Sequence, residues 1–318
     1  MAAVGAFAAA VPAPETAPVE AAEVAAVDAS EVADHVEIAR AGVTALSAST
    51  LAAFAPFTQL ARAAYCPSSK VTGWACGAAC KAVPGLQITL TGGDGSDVQL
   101  YYVGYWPSQN AVVVAHQGTD PTQFESVLTD VSILQRNLDK SIFPGISTDV
   151  WVHSGFADAH EDTAAKVLAE TKRIISSNGA TTVFTIGHSL GGALAQLDAL
   201  MMVMNLPSSI HVRSVTYGTP RVGNPAYATF FSSKVPDFQR VNNESDLIPI
   251  LPGRGLGYSH PQGEVHIVSP GNAVSCPGID DATDSQCTIQ TVPTIFQGNI
   301  LDHLGPYEGI NIGTLACT

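Results

Sequence analysis

Thr181-Thr-Val-Phe-Thr-Ile-Gly187-His188-Ser189-Leu190-Gly191-Gly192-Ala-Leu-Ala-Gln-Leu197 decides how the rest of the chain is read. An apolar, β-type run leads into Gly-x-Ser-x-Gly, and an Ala/Leu-rich helical run leaves it. A serine on so sharp a strand-to-helix turn takes strained backbone angles, so its neighbours two residues away must lack a Cβ. Gly187 and Gly191 meet that need. The turn lifts the Ser189 oxygen above the sheet beside a helix N-terminus, where the Leu190 N–H can stabilise an oxyanion.

Outward from this elbow, short apolar runs alternate with helical stretches. Ala111–Ala115, Thr182–Ile186, Val212–Tyr217 and Phe238–Val241 are expected as buried strands. Phe156–Ser177 is expected as a long amphipathic helix stopped by Asn178-Gly179. Upstream, Leu46, Leu51, Phe54, Phe57, Leu60 and Ala64 recur at helical spacing and lead into Cys66. Strands alternating with helices imply an α/β fold around a central, mostly parallel sheet.

The 318 residues are 46% hydrophobic, enough for a sizeable core, and carry 14 basic against 28 acidic residues, a net −14. Such an acidic chain is poorly suited to nucleic acid. No apolar run reaches the roughly 18 to 20 residues of a transmembrane segment. CxxC, GxxxxGK[ST] and GxGxxG are missing, and neither metal nor organic cofactor is implied. Residues 1–40 differ from the rest: Ala-rich and acidic, they start like the end of a signal peptide without a basic n-region. They are expected to be a truncated signal followed by an unstructured acidic pro-segment or linker, with 41–318 as the folded domain.

Six cysteines form an even set without metal-site spacing, which favours disulfides and an extracellular protein. Six cysteines allow 15 connectivities. Locality suggests Cys76–Cys80 and Cys276–Cys287, leaving Cys66–Cys317 to tie the ends of the domain together.

An elbow serine needs an acid and then a histidine downstream. The histidine takes the serine proton, and the acid fixes the imidazole tautomer. Asp198 falls inside the helix after the elbow, and Asp280, Asp281 and Asp284 fall in what reads as a surface loop. Asp246 follows a strand-like run, at a carboxyl end where open α/β sheets place their sites. Among later histidines, His266 reads as a strand residue, His260 stands in a Gly-rich loop, and His303 lies in a late loop free to reach Ser189. Position alone puts His303 only modestly ahead of His260. His153 and His188 read as fold-supporting hydrogen bonders.

Several motifs in order resemble the fungal class 3 lipases, the filamentous-fungus lipase and feruloyl-esterase group of the α/β-hydrolases. They are Gly118-Thr119, Val152-His-Ser-Gly-Phe156, Gly187-His-Ser-Leu-Gly-Gly192, Tyr217-Gly-Thr-Pro-Arg-Val-Gly-Asn224, Asp246-Leu-Ile-Pro249 and Asp302-His303. The resemblance spans about Thr44 to Cys317. It implies the α/β-hydrolase fold, the triad Ser189–Asp246–His303, the three disulfides above, and Thr119 joining Leu190 in the oxyanion hole. One departure stands out: the family often carries arginine before Gly-[Ser/Thr], whereas this chain has His116-Gln117, so a local salt bridge is expected to be lost.

Asp120, Pro121 and Gln123 make a strong helix start, followed by Phe124, Val127, Leu128 and Val131 on one face. The resemblance makes this a lid with an apolar inner face; the same spacing also fits a fixed core helix. Leu247–Leu251 and Ile295-Phe296 read equally as acyl-groove lining or as plain core. The sequon Asn243-Glu-Ser245 abuts Asp246, so a glycan there would crowd the site and none is expected.

Together these readings point to a secreted serine hydrolase of acylglycerol esters working at a lipid–water interface. The alternatives are a feruloyl or other carboxylesterase on soluble esters, and a non-catalytic lipid binder of the same fold. An intact Ser–Asp–His set argues against the binder.

Overall fold

The computed structural model describes residues 42–119 and 133–317. The acidic stretch 1–40 and the apolar face Phe124, Val127, Leu128 and Val131 lie outside the described residues. The strands are β1 (Thr44–Ala45), β2 (Gln87–Gly92), β3 (Tyr101–Trp106), β4 (Ala111–His116), β5 (Gln135–Asn137), β6 (Trp151–His153), β7 (Thr182–His188), β8 (His211–Tyr217), β9 (Phe238–Asn243), β10 (Glu264–Ser269) and β11 (Asn272–Cys276). The helices are α1 (Ala48–Ala52), α2 (Ala55–Ala63), α3 (Ser68–Val71), α4 (Ala78–Ala82), α5 (Ser154–Asn178), α6 (Leu190–Asn205), α7 (Pro225–Lys234) and α8 (Thr288–Thr291).

Nine strands form one sheet in the order β1-β11-β10-β9-β8-β7-β4-β3-β2, and β5 pairs separately with β6. The middle five, β4, β7, β8, β9 and β10, run parallel. The flanking pairs are antiparallel. A parallel strand covered on both faces reads as a continuous apolar run, which is why the central strands were evident in the sequence. The half-exposed β2 and β11 give a weaker signal.

Alternation along β4 divides the core into two layers. Val113 and Ala115 face a cluster with Phe57, Leu60 and Ala61 of α2. Val112 and Val114 face the cluster that holds Val167 of α5 and Leu197 of α6. Helix α5 ends at Gly179, whose φ of 69° is left-handed and whose N–H reaches the Ile175 carbonyl. That is the stop expected from Asn-Gly.

Helix α6 is buried over Gly191–Met202, polar residues included. The disulfides are Cys66–Cys317, Cys76–Cys80 and Cys276–Cys287.

One expectation changes. Asp280 lies in an irregular segment, but its side chain is buried and ion-paired with Arg221, a residue that also donates to the Ile250 and Pro252 carbonyls. Where an arginine would place a salt bridge before Gly118, His116 Nε2 instead lies at hydrogen-bond distance, 2.6 Å, from the carboxylate of Asp198. Leu247, Ile248 and Ile250 pack with Val292 as a small buried cluster. Phe296, by contrast, is 91% exposed.

Candidate active site

Ser189 stands between β7 and α6 with φ 60° and ψ −131°. For a non-glycine residue this left-handed backbone is strained and persists only where the surroundings enforce it. The enforcement here is steric. A Cβ on Gly187 would lie 2.0 Å from the Gly191 carbonyl oxygen, and one on Gly191 would lie 2.4 Å from the His116 oxygen. The Ser189 N–H donates to the Tyr217 carbonyl at 2.9 Å, tying the elbow to β8.

Asp246 leaves the end of β9 in a tight turn and is buried. Its Oδ1 accepts the Ile248 N–H at 2.9 Å, and its Oδ2 lies 2.8 Å from His303 Nδ1. An ionised carboxylate only accepts, so the imidazole carries its proton on Nδ1 toward Asp246, and Nε2 becomes the basic nitrogen. A Cβ on Gly218 would come within 2.7 Å of both the Asp246 Oδ2 and His303 Nδ1. The Tyr217-Gly218 turn therefore forms the wall against which this pair is packed.

The His303 turn is fastened to the acid's own turn. Asn243 Nδ2 donates to the Asp302 carbonyl at 3.0 Å, the Ser245 N–H donates to Asp302 Oδ2 at 3.0 Å, and the Asn299 N–H donates to the Ser245 carbonyl at 2.7 Å. Asn243 is thus consumed internally, consistent with an unused sequon. Behind the histidine, His188 Nε2 donates to the His303 carbonyl at 2.7 Å, and Tyr307 Oη donates to the same oxygen at 3.1 Å. His188 Nδ1 in turn accepts from Tyr65 Oη at 2.6 Å, which fixes its tautomer. Burial, then the neighbouring His303, hold the His188 imidazole well below its ordinary range, so it serves as a neutral donor.

Thr119 lies three residues past β4, and Leu190 opens α6 directly after Ser189. A Cβ on Gly118 would lie 2.7 Å from the Ser189 Cβ, so the two backbone segments are in contact. The other candidates lie elsewhere. His260 is buried with Nε2 donating to the Pro249 carbonyl at 2.8 Å. His266, on β10, faces the carbonyls of Glu244 and Gln286. His153 accepts the Phe156 N–H at the start of α5.

Glu264 lies close to Cys276 and Cys287, but those sulfurs are bonded to each other. Glu264 itself is held by Arg240 and the Thr288 N–H. That group offers no thiolate to a metal.

Sequence reasoning did not assign Tyr65, Tyr307 and Asn299 to the site. Asp302 beside His303 was visible, but its bond to Ser245 depends on a contact between distant turns. Asp198 had a readable signal: a carboxylate inside an otherwise apolar helix must find a partner.

Residues 113–256 match the family described as lipase (class 3). A secreted mono- and diacylglycerol lipase of Malassezia globosa is 30% identical over 233 residues, covering 72% of this chain and 74% of its own length. A lipase of Rhizopus niveus is 30% identical over 277 residues, or 86% of this chain and 67% of that one. Among solved structures, lipase II from Rhizopus niveus superposes with a TM-score of 0.74 at 28% identity, covering 87% of this chain and 100% of that one. A triacylglycerol lipase whose catalytic centre is described as a serine protease triad matches with the same TM-score, identity and coverage.

Proposed function

The chain belongs to the fungal class 3 lipase family, and we propose that it hydrolyses acylglycerol esters through Ser189, His303 and Asp246. It is a secreted α/β-hydrolase and a carboxylic ester hydrolase. The observation that carries the assignment of roles is the 2.8 Å pair between His303 Nδ1 and Asp246 Oδ2 at the same end of the sheet as the strained Ser189.

In this reading His303 Nε2 takes the hydroxyl proton of Ser189 as its oxygen attacks the ester carbonyl. Asp246 holds the imidazolium that results. The backbone N–H groups of Thr119 and Leu190 receive the developing oxyanion. Collapse of the tetrahedral species breaks the bond to the glycerol oxygen, and His303 returns its proton to that leaving group. Water, activated by the same nitrogen, then releases the fatty acid and restores Ser189.

The same proposal treats residues 41–318 as one hydrolase domain. A single sheet running from Thr44 to Cys276 and the Cys66–Cys317 bridge support it. The partner in this reading is an acylglycerol at a lipid–water interface. The net charge of −14 gives nucleic acid no reason to bind. Among the described residues no helix is long and apolar enough to cross a membrane.

The test is the hydrolysis rate of a short-chain triglyceride taken through its solubility limit, with Ser189→Ala alongside. A jump as droplets form, lost in the variant, is expected. A smooth curve that saturates below the limit makes the protein an esterase of soluble substrates. Equal rates in wild type and variant leave a lipid binder without catalysis.

A further inference from the structure

We propose that the buried cluster His116–Asp198–His160 is positioning machinery for the oxyanion hole, setting where the Gly118–Thr119 backbone stands relative to the N-terminus of α6. The inference rests on the reading of Thr119 and Leu190 as oxyanion donors.

The three side chains are fully buried. Asp198, on α6, takes His116 Nε2 on Oδ2 at 2.6 Å and His160 Nε2 on Oδ1 at 3.1 Å. Since a carboxylate only accepts, both imidazoles must carry hydrogen on Nε2. Their Nδ1 atoms are buried and lack hydrogen-bond partners among the described residues. A bare lone pair there is tolerable, whereas a second N–H would be a buried, unsatisfied donor. Two neutral donors on one anion is therefore the arrangement the geometry favours.

A carboxylate buried in an otherwise apolar helix is costly unless it is well held. Here it joins three elements that meet at the site. His116 ends β4, three residues before Thr119, and lies on the same strand face as Val112 and Val114, toward α5 and α6. His160 comes from α5 and Asp198 from the helix that Leu190 opens.

Next to His116, Gln117 anchors the other side. Its Oε1 accepts the Leu100 N–H at 3.0 Å, and its own N–H donates to the Leu100 carbonyl at 2.8 Å. Between these anchors, a Cβ on Gly191 would fall 2.4 Å from the His116 oxygen and 2.6 Å from the Gln117 oxygen. The backbone segments bearing the Thr119 and Leu190 N–H groups are thus pressed together with no slack. Sterics set how near they approach, and the Asp198 bonds keep them from drifting apart. Oxyanion donors act only when pre-set to within roughly 0.5 Å, so the cluster acts on the transition state rather than on substrate capture.

Two substitutions at one position separate this role from plain packing. His116→Phe keeps the ring volume and loses the donor; His116→Gln keeps a donor near the Nε2 position and loses the ring. Each is compared with wild type and Ser189→Ala for kcat and KM on a water-soluble short-chain ester, for Tm, and for inhibition by phenylboronic acid as a tetrahedral mimic. In His116→Phe, kcat is expected to fall about 10- to 100-fold, as for misplaced catalytic groups. KM should stay within about twofold, the mark of an interaction made only in the transition state. Boronate inhibition should weaken by the same factor as kcat, while His116→Gln keeps most of the wild-type rate.

The reverse ranking, or a folded His116→Phe enzyme with wild-type kcat, overturns the proposal. If His116→Phe does not fold, the pair His160→Phe and His160→Gln is read the same way, with a smaller loss expected and equal rates overturning it. Activity surviving in Ser189→Ala would instead sink the reading of the site itself. Activity lost there but intact in His116→Phe would sink only the positioning role.

Discussion

His188 and His303 lie ring against ring with centroids 4.4 Å apart, and the first donates to the backbone carbonyl of the second. Like charges on both rings would repel strongly at that separation. In the proposed cycle His303 takes the charge, so His188 must stay neutral while its partner gains and loses a proton.

His188 and His260 are both held well below the ordinary imidazole range, the first by burial and His303, the second by burial and then Arg240 and Arg221. The unfolded chain takes protons on these residues near pH 6.5, and the folded chain does not. Their contribution to stability is thus complete above about pH 6.5 and lost as pH falls, by up to about 1.4 kcal/mol per pH unit for each residue. Denaturant unfolding from pH 8 to 5 should show the decline. His260→Asn should remove about one proton from the slope below pH 6. An unchanged slope would mean that His260 takes up its proton in the folded protein.

Asp246→Asn should leave the fold intact and disable the chemistry. The amide would present an N–H to His303 Nδ1 and so turn the imidazole to the tautomer with its proton on Nε2, unable to accept from Ser189. A loss in kcat on the order of 10³- to 10⁴-fold is expected with little change in KM. A kcat within tenfold of wild type would remove Asp246 from the triad.

Gly191→Ala tests how closely the elbow and β4 are fitted. The new methyl would meet the backbone oxygens of His116 and Gln117, neither of which can rotate away. Activity should fall at least about 100-fold, comparable to losing an oxyanion donor. Tm should drop as well. Near-normal activity in this variant would show that β4 can retreat without cost.

The three disulfides should differ in weight. Cys66–Cys317 spans 251 residues of sequence separation and Cys76–Cys80 spans 4. In the chain-entropy account the first stabilises by roughly 5 kcal/mol and the second by about 2. Unfolding of Cys66→Ser/Cys317→Ser against Cys76→Ser/Cys80→Ser measures the contrast, with kcat per folded molecule unchanged in both. Equal losses would place the stabilisation in local packing instead.

Much of this was legible in the sequence because the decisive features are local. Gly187, Ser189 and Gly191 specify one turn through steric needs within five residues, and the buried parallel strands announce themselves as apolar runs. Asp246 could be chosen because a carboxyl end of a strand is a readable place. What escaped were pairings across long separations. Position alone could not choose firmly between His303 and His260, since the bonds from Asn243, Ser245 and Asn299 that bring the His303 turn to Asp246 exist only in the fold. The burial of Asp280 escaped for the same reason: its partner Arg221 is 59 residues away. The hydrogen bond that His116 makes in place of an arginine salt bridge escaped too, because nothing local signals that Asp198 waits on the next helix.

The Cys66–Cys317 bridge has a mechanical corollary. It makes residues 66 to 317 a closed covalent ring, with the Cα atoms at the closure 5.3 Å apart. Tension applied to the chain on either side of the ring would pass through β1, α1 and α2 and cross the sulfur bridge without entering the ring. Neither β4, β7 nor any later strand lies on that load path. Tethered by both ends to a surface or a fibre, the enzyme would keep Ser189, Asp246 and His303 in unstretched chain.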